Sequence, residues 1–336
     1  MSWYKNTGDI VISTRIRLAR NIKNLPFPHK MNESQIETLC QDVKNIFINK
    51  KFSFGKLNYI SLENAGNELE SMVERHIISP NFAANAKNRA LLISDDESVS
   101  IMLCEEDHIR IQVIKGTNTL KESYKIAKEI DKVINENLDI AYSENLGFLT
   151  ACPTNLGTGL RASLMLHLPA IEMHGGISSL VQSVSKIGFT VRGLYGEGSK
   201  AFGSLYQISN QVTLGLLEED AVKNLDGIVE QIINQEKTAR KDFSKEKLED
   251  MVFRALGTLK SARIMSSSEM GNLISLIKLG ISEGIIKDIE KNLPMRLFIE
   301  TAPNMIQKSN GRMTPLDRDC LRAKILREEL KKGDLL

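Results

Sequence analysis

Residues 109–114 read IRIQVI, and the alternation of apolar and polar side chains in this segment decides the fold class of the chain. Successive side chains of a strand point to opposite faces, so one face here is apolar while Arg110 and Gln112 share the other. The segment therefore predicts a strand of a sheet with one buried face. Further strands are predicted at residues 89–94, 99–104, 188–192 and 206–214.

Helices are predicted on both sides of these strands. Apolar residues recur three and four positions apart at residues 35–48 and 119–138, which is the spacing of one helix face. Strands grouped between helices favour an antiparallel sheet over a regular series of β-α-β units. We therefore predict an α+β fold with an antiparallel sheet flanked by helices.

The last third of the chain is predicted to be helical. A charge-rich link occupies residues 237–247, and between Leu248 and Leu259 the apolar residues again fall on one helix face. At 336 residues the chain exceeds the usual size of one domain. We predict a mixed domain at residues 1–235 and an all-helical domain at residues 236–336.

Local signals mark the ends of two of these C-terminal helices. Ser266 and Glu269 form a capping box that opens one helix, and Gly280 is expected to close it. Thr314 as N-cap and Pro315 in the first turn open the last helix, which carries many charged residues.

The composition argues against several classes of protein. Lys and Arg (44) nearly balance Asp and Glu (42), so no overall charge favours nucleic acid or an anionic membrane. The four cysteines are scattered without a C-x-x-C pair, which argues against a disulfide framework or a zinc site. No apolar stretch has the length of a signal peptide or a membrane span. We therefore expect a cytoplasmic protein without direct nucleic-acid or membrane partners.

Two short segments bring charged side chains together. In ISTRIRLAR, residues 12–20, Arg15 and Arg17 point to the same side if the segment is extended, and such a pair suits a polyphosphate. The alternative is a helix start with solvated arginines. In CEEDHIR, residues 104–110, three carboxylates lie between two strands, where Glu106 would have a rigid support. A solvated loop is the alternative there.

Two glycine-rich segments follow. Gly157 and Gly159 in CPTNLGTGLRAS imitate a dinucleotide fingerprint, but no apolar strand leads directly into them. In RGLYGEGSKAFG, residues 192–203, the spacing of a P-loop ends in Ser199 instead of the required lysine. We interpret this second segment as a glycine loop that carries one acid, Glu197.

Together these segments favour phosphoryl transfer to a cation. Phosphoryl transfer depends on positioning and charge neutralisation, which a cage of guanidinium groups around a nucleotide can supply. The acids Glu106 and Glu197 would then hold a cationic nucleophile and accept its proton. The arginines in or beside the segments are Arg15, Arg17, Arg110, Arg161 and Arg192.

The same segments resemble the signature blocks of the phosphagen (guanidino) kinase family. The matching blocks, which occur in the family's order, are STRIR at residues 13–17, ERHIISP at 74–80, EEDHIR at 105–110 and CPTNLGTGLRAS at 152–163. The resemblance spans about residues 10–235. It implies a guanidino-kinase fold and an ATP-dependent kinase that phosphorylates guanidinium groups.

Within this family the chain is most similar to the bacterial protein-arginine kinases. Only twelve residues precede Ser13, whereas the metabolite kinases of the family carry a helical domain there that helps to close over the guanidine substrate. Arg318, Asp319, Arg322 and Ala323 match the R-D-x-x-R-A motif of the protein-arginine kinases. The resemblance therefore implies that the substrate is arginine on a protein surface.

The resemblance also implies roles for individual residues. Glu106 and Glu197 would grip the substrate guanidinium, one of them as catalytic base, and Cys152 would lie against it as a thiolate-leaning partner. Magnesium would be held through ATP and water, without a carboxylate cage of its own. The main chain of residues 161–165 and 192–197 would lie along the phosphates. The implied ATP-binding residues are Ser13, Thr14, Arg15, Ile16, Arg17, His76, Arg110, Arg161, Ala162, Ser163, Leu164, Met165, Arg192, Gly193, Leu194, Tyr195 and Gly196.

These roles agree with the chemistry of the reaction. A guanidinium group has a pKa above about 12 and is a poor nucleophile. Two carboxylates can orient it, neutralise it and accept its proton, and such general-base assistance is typically ~10²–10⁴-fold. A cysteine beside the cation would have a lowered pKa and would be sensitive to oxidation. Without the resemblance, Cys152 is interpreted as an inert buried thiol.

Arg318 and Arg322 have two interpretations. They lie four residues apart on a helix crowded with charge, which is typical of a solvated face. The motif instead implies a phosphoarginine-recognition site at Arg318, Asp319, Arg322 and Ala323, allosteric and near the contact of a homodimer.

The resemblance extends to partners. It implies a zinc-binding activator protein, a heat-shock repressor and a Clp-type ATPase, in a stress response that marks proteins for degradation. Two alternative functions remain open, a small-metabolite guanidino (arginine) kinase and a non-catalytic adaptor that binds phosphoarginine. The intact acids and the five arginines argue against the adaptor.

Overall fold

The computed structural model of the chain describes residues 2–66, 68–193 and 202–331. The strands in this part are β1 Val11–Arg20, β2 Leu57–Ser61, β3 Ala90–Ser94, β4 Val99–Leu103, β5 Ile109–Gly116, β6 Tyr142–Ser143, β7 Gly147–Phe148, β8 Leu160–His167, β9 Phe189–Gly193 and β10 Leu205–Asn210. Eight of them form one sheet in the order β2-β3-β4-β5-β1-β8-β10-β9, while β6 and β7 form a separate hairpin. Neighbouring strands of the large sheet run antiparallel, which confirms the predicted sheet type.

The helices surround this sheet and then continue without further strands to the end of the described chain. They are α1 Glu33–Phe47, α2 Glu68–Glu74, α3 Pro80–Ala84, α4 Leu120–Asn137, α5 Pro169–Met173, α6 Ile177–Lys186, α7 Glu218–Lys241, α8 Lys245–Ser261, α9 Ser267–Ser282, α10 Leu293–Glu300, α11 Pro303–Asn310 and α12 Pro315–Lys331. The predicted α+β fold is therefore confirmed.

Side chains alternate between the two faces along the central strands, so that one face lies on the core and the other faces the cavity. In β1, Ile16 and Leu18 are fully buried and join a core with apolar residues of α1, α4, α6 and α7. Arg15 and Arg17 alternate with them and are therefore directed to the other face, where both line a cavity. These helices thus cover one face of the sheet, while on the other face the polar side chains around the cavity lie between apolar residues that pack against other helices.

Four of the predicted strands agree with the structure to within two residues, and the fifth is too long. The strand expected at residues 206–214 ends at Asn210. There the Asn210 side chain donates to the carbonyl oxygens of Leu160 and Val212, at 3.0 and 3.2 Å. The chain then turns, and Thr213 Oγ1 donates to Leu156 O at 2.7 Å instead of continuing a ladder. These side-chain hydrogen bonds end the strand at Asn210, although the apolar pattern that predicted the strand continues beyond it.

The charge-rich link predicted at residues 237–247 is wrong in its first half, because α7 continues through it. Arg240 is buried, and its Nε donates to Glu236 one turn earlier at 3.0 Å. The Glu236 carboxylate also accepts the amide hydrogens of Ala170 and Ile171 in the first turn of α5, at 3.1 and 3.0 Å. Arg240 is therefore part of an internal network, whereas the other charged residues of this segment are exposed on the end of α7 and the start of α8.

One helix end is also corrected. Ser266 opens α9 as predicted, and its side chain accepts the amide hydrogen of Glu269 at 3.2 Å. The helix does not close at Gly280 but runs to Ser282, and Gly284 follows with a φ of 71°. A Cβ atom at Gly280 would lie 2.5 Å from Val252 Cγ1, so this glycine permits close packing of α9 on α8.

The other helix predictions are confirmed by α1, α4, α8 and α12. At the start of α12, Thr314 Oγ1 accepts the amide hydrogen of Asp317 at 3.2 Å, and Pro315 is the first helical residue. In the described part of the chain, no helix combines the length and the apolar character needed to cross a membrane.

The C-terminal helices are joined to the sheet through a shared core. Apolar residues of α8, α9, α10 and α12 pack with Trp3, Tyr4, Ile12 of β1, Ile114 of β5 and Leu205 of β10. The predicted boundary at residue 235 lies within α7, and the division of the chain into two domains stays a prediction.

Candidate active site

A cavity of about 500 Å³ opens on the polar face of the sheet. All five arginines singled out in the sequence line it, and His76 lies among them. Arg15 and Arg17 come from β1, Arg110 from β5, Arg161 from β8 and Arg192 from β9. The structure therefore brings together in one cavity residues that are up to 177 positions apart in the sequence, from Arg15 to Arg192.

The strand register places like charges next to each other. Arg17 and Arg161 are direct partners across β1 and β8, and Arg15 lies two residues before Arg17 on the same face. Like charges directly opposite each other destabilise a sheet. A negatively charged ligand on this face would remove that cost.

The electrostatics of the cavity also indicate an anion site. Burial, with the neighbouring Arg110 and Arg161, lowers the pKa of Arg15 to about 10. Burial and nearby arginines lower the pKa of Arg17 as well, and its Nε has no hydrogen-bond partner within the described residues. Burial and Arg15 lower the pKa of His76 to about 3, so its ring is neutral near pH 7. A bound polyphosphate would supply the negative charge that compensates the clustered positive charges of these arginines.

Several side chains that the sequence did not single out orient the arginines. Arg15 Nη2 donates to Gln207 Oε1 of β10 at 2.6 Å. Arg161 Nη2 donates to Ser209 Oγ, two residues further along the same strand, at 3.3 Å. Polar residues at alternate positions of β10 are the one sequence signal that would have indicated them.

Glu105 is a further residue whose role the sequence did not show. It is 8% exposed, forms an ion pair with Arg110 and accepts a hydrogen bond from Ser79 Oγ. Burial acts to raise the pKa of Glu105, but Arg110 and Ser79 outweigh it and the pKa is lowered. Glu105 is therefore an ionised partner that holds Arg110 in the cavity wall.

The predicted ATP-binding residues of β1 and β8 divide between the two faces of the sheet. Ser13, Ser163 and Met165 line a small cavity that adjoins the arginines and shares Arg15, His76 and Gln207 with the large one. The residues between them, Thr14, Ile16, Ala162 and Leu164, are buried on the core face. The main chain of β8 pairs with β1 on one edge and with β10 on the other.

The predicted glycine loop is described only at its beginning. Gly193 lines the cavity and pairs with Tyr206 at the edge of the sheet. The predicted residues Leu194, Tyr195, Gly196 and Glu197 lie outside the described residues.

Glu106 occupies the turn between β4 and β5 and is exposed. Partial burial of its carboxyl group raises its pKa; Asp107 and Glu105 add to this effect, and Arg110 opposes it. A carboxylate with a raised pKa is a better proton acceptor than an ordinary one. The side chain of Glu106 does not line the arginine cavity; it lies on the turn that leads into β5, the strand of Arg110.

A buried hydrogen-bond clamp joins this turn to the loop of Cys152. Asp107 Oδ1 accepts hydrogen bonds from Asn21 Nδ2 at 2.7 Å and from the amide of Ala151 at 2.8 Å. Asn21 Oδ1 accepts the amide hydrogen of His108 at 2.9 Å, so the end of β1 holds the turn as well. Asp107 is 2% exposed. The clamp therefore keeps the turn of Glu106 and the segment before Cys152 in register with each other.

Cys152 is half-buried at the start of a short 3-10 helix, residues Pro153–Asn155. Its Sγ lies 3.0 Å from Thr154 Oγ1. The thiol is therefore not enclosed in the core.

The cavity also has a wall that the sequence reasoning missed. Residues of α9 and α10 and of the start of α11 line it, although every candidate residue for the reaction was placed in the first two-thirds of the chain. They are Ser267, Met270, Phe298, Ile299, Ala302 and Pro303. Nothing in their sequence distinguishes them from core positions of a helical domain.

In α12, the motif residues have unequal surroundings. Arg322 is fully buried; its Nε donates to Thr301 O at 2.9 Å, its Nη1 donates to Met265 O at 2.8 Å, and Asp319 forms an ion pair with it. Ala323 is buried too, whereas Arg318 is partly exposed. The two arginines therefore do not form the open pair of guanidinium groups that their spacing suggested, and Arg322 helps to hold α12 on α9 and α10.

Among the described residues, no group of three or more His, Cys, Asp or Glu side chains is placed to hold a metal ion.

Comparisons with known protein families match almost the whole chain. Residues 38–239 match the ATP:guanido phosphotransferase C-terminal catalytic domain. Residues 245–334 match the protein-arginine kinase McsB C-terminal domain.

Curated relatives match over nearly their full length. A protein-arginine kinase of Clostridium kluyveri is 47% identical over 328 residues, which are 96% of this chain and 94% of that protein. Those of Clostridium novyi and Brevibacillus brevis are 46% and 43% identical, and they cover 96% and 98% of this chain and 95% of each relative.

Solved structures confirm the guanidino-kinase fold. The duplicated taurocyamine kinase from Schistosoma mansoni, with bound transition-state-analogue components, has a TM-score of 0.61 and 26% identity, over 69% of this chain and 34% of that one. A lombricine kinase has a TM-score of 0.62 and 22% identity, over 71% and 70% of the two chains. The chain is therefore a phosphotransferase enzyme of the ATP:guanido phosphotransferase family, and within that family it belongs with the protein-arginine kinases.

Proposed function

We propose that this enzyme transfers the γ-phosphoryl group of ATP to the guanidinium group of arginine side chains in proteins. One observation carries the proposal: five arginines from four strands face a single cavity, and two of them are direct cross-strand partners. Such an arrangement destabilises the empty sheet and suits a triphosphate. Its volume, about 500 Å³, is within the range of small-ligand sites.

The arginines would bind the phosphates and neutralise charge during transfer. Arg15, Arg17, Arg110, Arg161 and Arg192 are held on strands, so little reorganisation is needed when charge shifts from the γ-phosphate to the leaving ADP. Magnesium would enter bound to the oxygens of ATP, since such sites commonly rely on substrate phosphates and water. When bound, magnesium would add to the charge neutralisation that the cavity arginines supply.

Glu106, with Glu197, would prepare the nucleophile. A carboxylate that accepts two N–H groups of the guanidinium aligns the remaining nitrogen with phosphorus. The N–P bond forms, the bond from phosphorus to the bridging oxygen of ADP breaks, and the proton leaves nitrogen for the carboxylate. The raised pKa of Glu106 suits this role, and the Asp107 clamp would hold Cys152 on the same side of the cavity.

The test is phosphorylation of an unfolded model protein by the purified enzyme with Mg-ATP, followed by mass spectrometry under non-acidic conditions that preserve the P–N bond. We expect phosphoarginine on the protein, and none with Glu106→Gln. Glu144→Gln is the matched control, because Glu144 is an exposed acid on the β6–β7 hairpin. Labelling of free arginine without labelling of the protein would identify a small-metabolite kinase instead.

Further parts of the proposal rest on family membership alone. The modified proteins would pass to a Clp-type ATPase, under the control of a zinc-binding activator protein and alongside a heat-shock repressor. The enzyme would act in the cytoplasm as a homodimer and would recognise phosphoarginine through α12. Co-purification of these partners from stressed and unstressed cells tests this part separately from the phosphoryl transfer.

A further inference from the structure

A group of apolar side chains is exposed near the β9 edge of the large sheet. Twelve large apolar residues are exposed in the described part of the chain, and four of them fall within residues 212–217. The exposed Ile187 adjoins this segment, because a Cβ atom at the next residue, Gly188, would be 3.2 Å from Val212 Cγ2. The five residues, called the apolar patch below, are Ile187, Val212, Leu214, Leu216 and Leu217. Contiguous exposed apolar side chains indicate an interaction surface.

The apolar patch is joined to the loop of Cys152. Thr213 Oγ1, within the patch segment, donates to Thr154 O at 3.0 Å. Cys152 Sγ lies 3.0 Å from the hydroxyl oxygen of the same threonine. A Cβ atom at Gly157 would be 2.8 Å from Leu214 Cα, so the two segments lie directly against each other. The patch therefore adjoins the loop at which the proposed function places the substrate guanidinium.

The charges next to the apolar patch suit a cationic partner. The first turn of α7, which follows the patch, holds three acids. Glu218 is paired with Arg20, whereas Glu219 and Asp220 are exposed; Lys186, at the end of α6, is an exposed cation. A polypeptide that carries arginine is attracted to the two exposed acids. A second copy of this chain seated on the patch through a two-fold contact would instead bring the same acids against each other.

We propose that the apolar patch binds the polypeptide on one side of the arginine to be phosphorylated, and that the enzyme thereby selects arginines with apolar side chains nearby. The proposal rests on the proposed function, since it concerns the chain segment that arrives together with the arginine. An extended polypeptide advances about 3.3 Å per residue, so residues two to five positions from the arginine lie about 7–17 Å from it. Such residues pass over the patch while the guanidinium lies at Cys152 and Glu106. Apolar side chains among them would bury surface of both partners.

The test measures the kinetics of the enzyme on two peptides. Each peptide has a single central arginine, and the second and fourth positions on both sides of it are leucine in one peptide and serine in the other. The release of ADP at saturating Mg-ATP gives KM and the turnover number for each peptide. For the wild-type enzyme we expect the KM of the leucine peptide to be lower by about tenfold or more, because only its side chains can bury apolar surface on the patch.

The variant with both Leu216→Ser and Leu217→Ser removes apolar surface from the patch and leaves Thr213 in place. Position 217 is the N-cap of α7, and serine is a favoured N-cap, so the change there should not destabilise the helix. We expect the KM of the leucine peptide to rise by about tenfold, while the KM values of the serine peptide and of ATP stay unchanged. Phe253→Ser, at an exposed apolar position of α8, is the control and should change none of them.

The outcomes separate the patch from the function as a whole. Equal KM values of the two peptides in the wild-type enzyme would overturn the inference, and so would an equal rise for both in the double variant, which would mean that the loop of Cys152 is disturbed. A smaller assembly in sedimentation with unchanged peptide kinetics would assign the patch to a second copy of the chain and also overturn it. If the wild-type enzyme phosphorylates free arginine but neither peptide, the proposed function itself fails. Leu217→Ser alone replaces the double variant if that protein does not fold.

Discussion

The arginines of β1 and β8 are the residues at which function and stability conflict. Arg17 and Arg161 are half-buried and are direct cross-strand partners, and like charges directly opposite each other destabilise a sheet. A sheet built for stability alone would place apolar or oppositely charged residues there. The conflict disappears only when an anion is bound, so it can be measured in the empty protein.

Arg17→Met should therefore make the enzyme more stable and less active. We expect the unfolding midpoint without nucleotide to rise, because the repulsion is removed and the apolar side chain still fills the strand. The turnover number should fall by about 10²–10³-fold, as for the loss of one preorganised donor. Thermal unfolding and ADP release measure the two effects. Arg263→Met, at an exposed position, is the control. A lower midpoint for Arg17→Met would contradict the repulsion.

Asp107 should act as a positioning residue for the turn of Glu106. Asp107→Ala leaves the Ala151 amide and Asn21 Nδ2 without their acceptor, at a cost of about 1–3 kcal/mol for each unsatisfied group. We expect the turnover number to fall by tenfold or more while the affinity for ATP stays close to that of the wild type. Asp107→Asn retains a carbonyl oxygen at the same place and should recover most of the rate. Equal losses in both variants would show that the charge, not the clamp, matters.

The pH dependence should report Glu106. Its pKa is raised by partial burial and nearby carboxylates, and it is the deprotonated form that can accept a proton. As pH falls, the base is therefore lost at a higher pH than for an ordinary glutamate, whose pKa is about 4.3. In a plot of the turnover number against pH, we therefore expect the fall on the acid side (the acid limb) to lie at a pH above that value. The rate is measured through ADP release, because the phosphorylated product is labile in acid. The limb cannot belong to Glu105, whose pKa is lowered. A limb below the ordinary value would exclude Glu106 as the base.

The placement of single residues was predictable from the sequence where the alternation of side chains along a strand decides which face of the sheet they occupy. Arg15 and Arg17 share a face because they are two residues apart, and the structure confirms this. Gln207 was missed because its partner, Arg15, lies on a strand that is distant in the sequence, and Glu105 was missed because its burial beside Arg110 and Ser79 depends on the folded chain. The assignment of substrate roles to these residues stays a prediction.

Secondary-structure elements were predictable where their ends carry capping chemistry. Ser266 and Thr314 open α9 and α12 as expected. The link at residues 237–247 was mistaken because its exposed charged residues continue α7 and begin α8, and because Arg240 pairs with Glu236 inside the protein. Gly280 was mistaken for a helix end because its close packing on Val252 of the preceding helix α8 is a tertiary contact, which the sequence pattern of a helix end does not show.

The geometry of α12 refines the prediction for phosphoarginine recognition. Arg318→Ala should abolish binding of phosphoarginine by the full-length protein without loss of stability, because Arg318 is partly exposed. Asp319→Ala should abolish it too, but it also unpairs the buried Arg322 and should lower the unfolding midpoint. Lys324→Ala is the control, an exposed cation of the same helix. Calorimetry measures binding, and unchanged binding in Arg318→Ala would contradict a site at this motif.

The two ends of the chain meet in one core, and this has a consequence for unfolding. Trp3 is the only tryptophan of the protein, and it packs with C-terminal helices while its Nε1 donates to Arg75 O at 2.7 Å. Arg240 adds a buried bridge, since it contacts Asp9 near the N-terminus as well as Glu283 after α9. Two parts that share an apolar core and the ion pairs of the buried Arg240 should lose them together.

Unfolding by denaturant should therefore be a single transition. The fluorescence of Trp3 reports the contact between the N-terminal segment and the C-terminal helices, whereas circular dichroism reports all helices. Coincident midpoints are expected, because separating the parts would expose the shared core and unpair Arg240. Arg240→Met should lower both midpoints together; Lys245→Met, at an exposed position of α8, should move neither. A fluorescence midpoint well below that of circular dichroism would mean that the helical part detaches first. In that case, the nucleotide cavity, which both parts line, would be lost before the sheet unfolds.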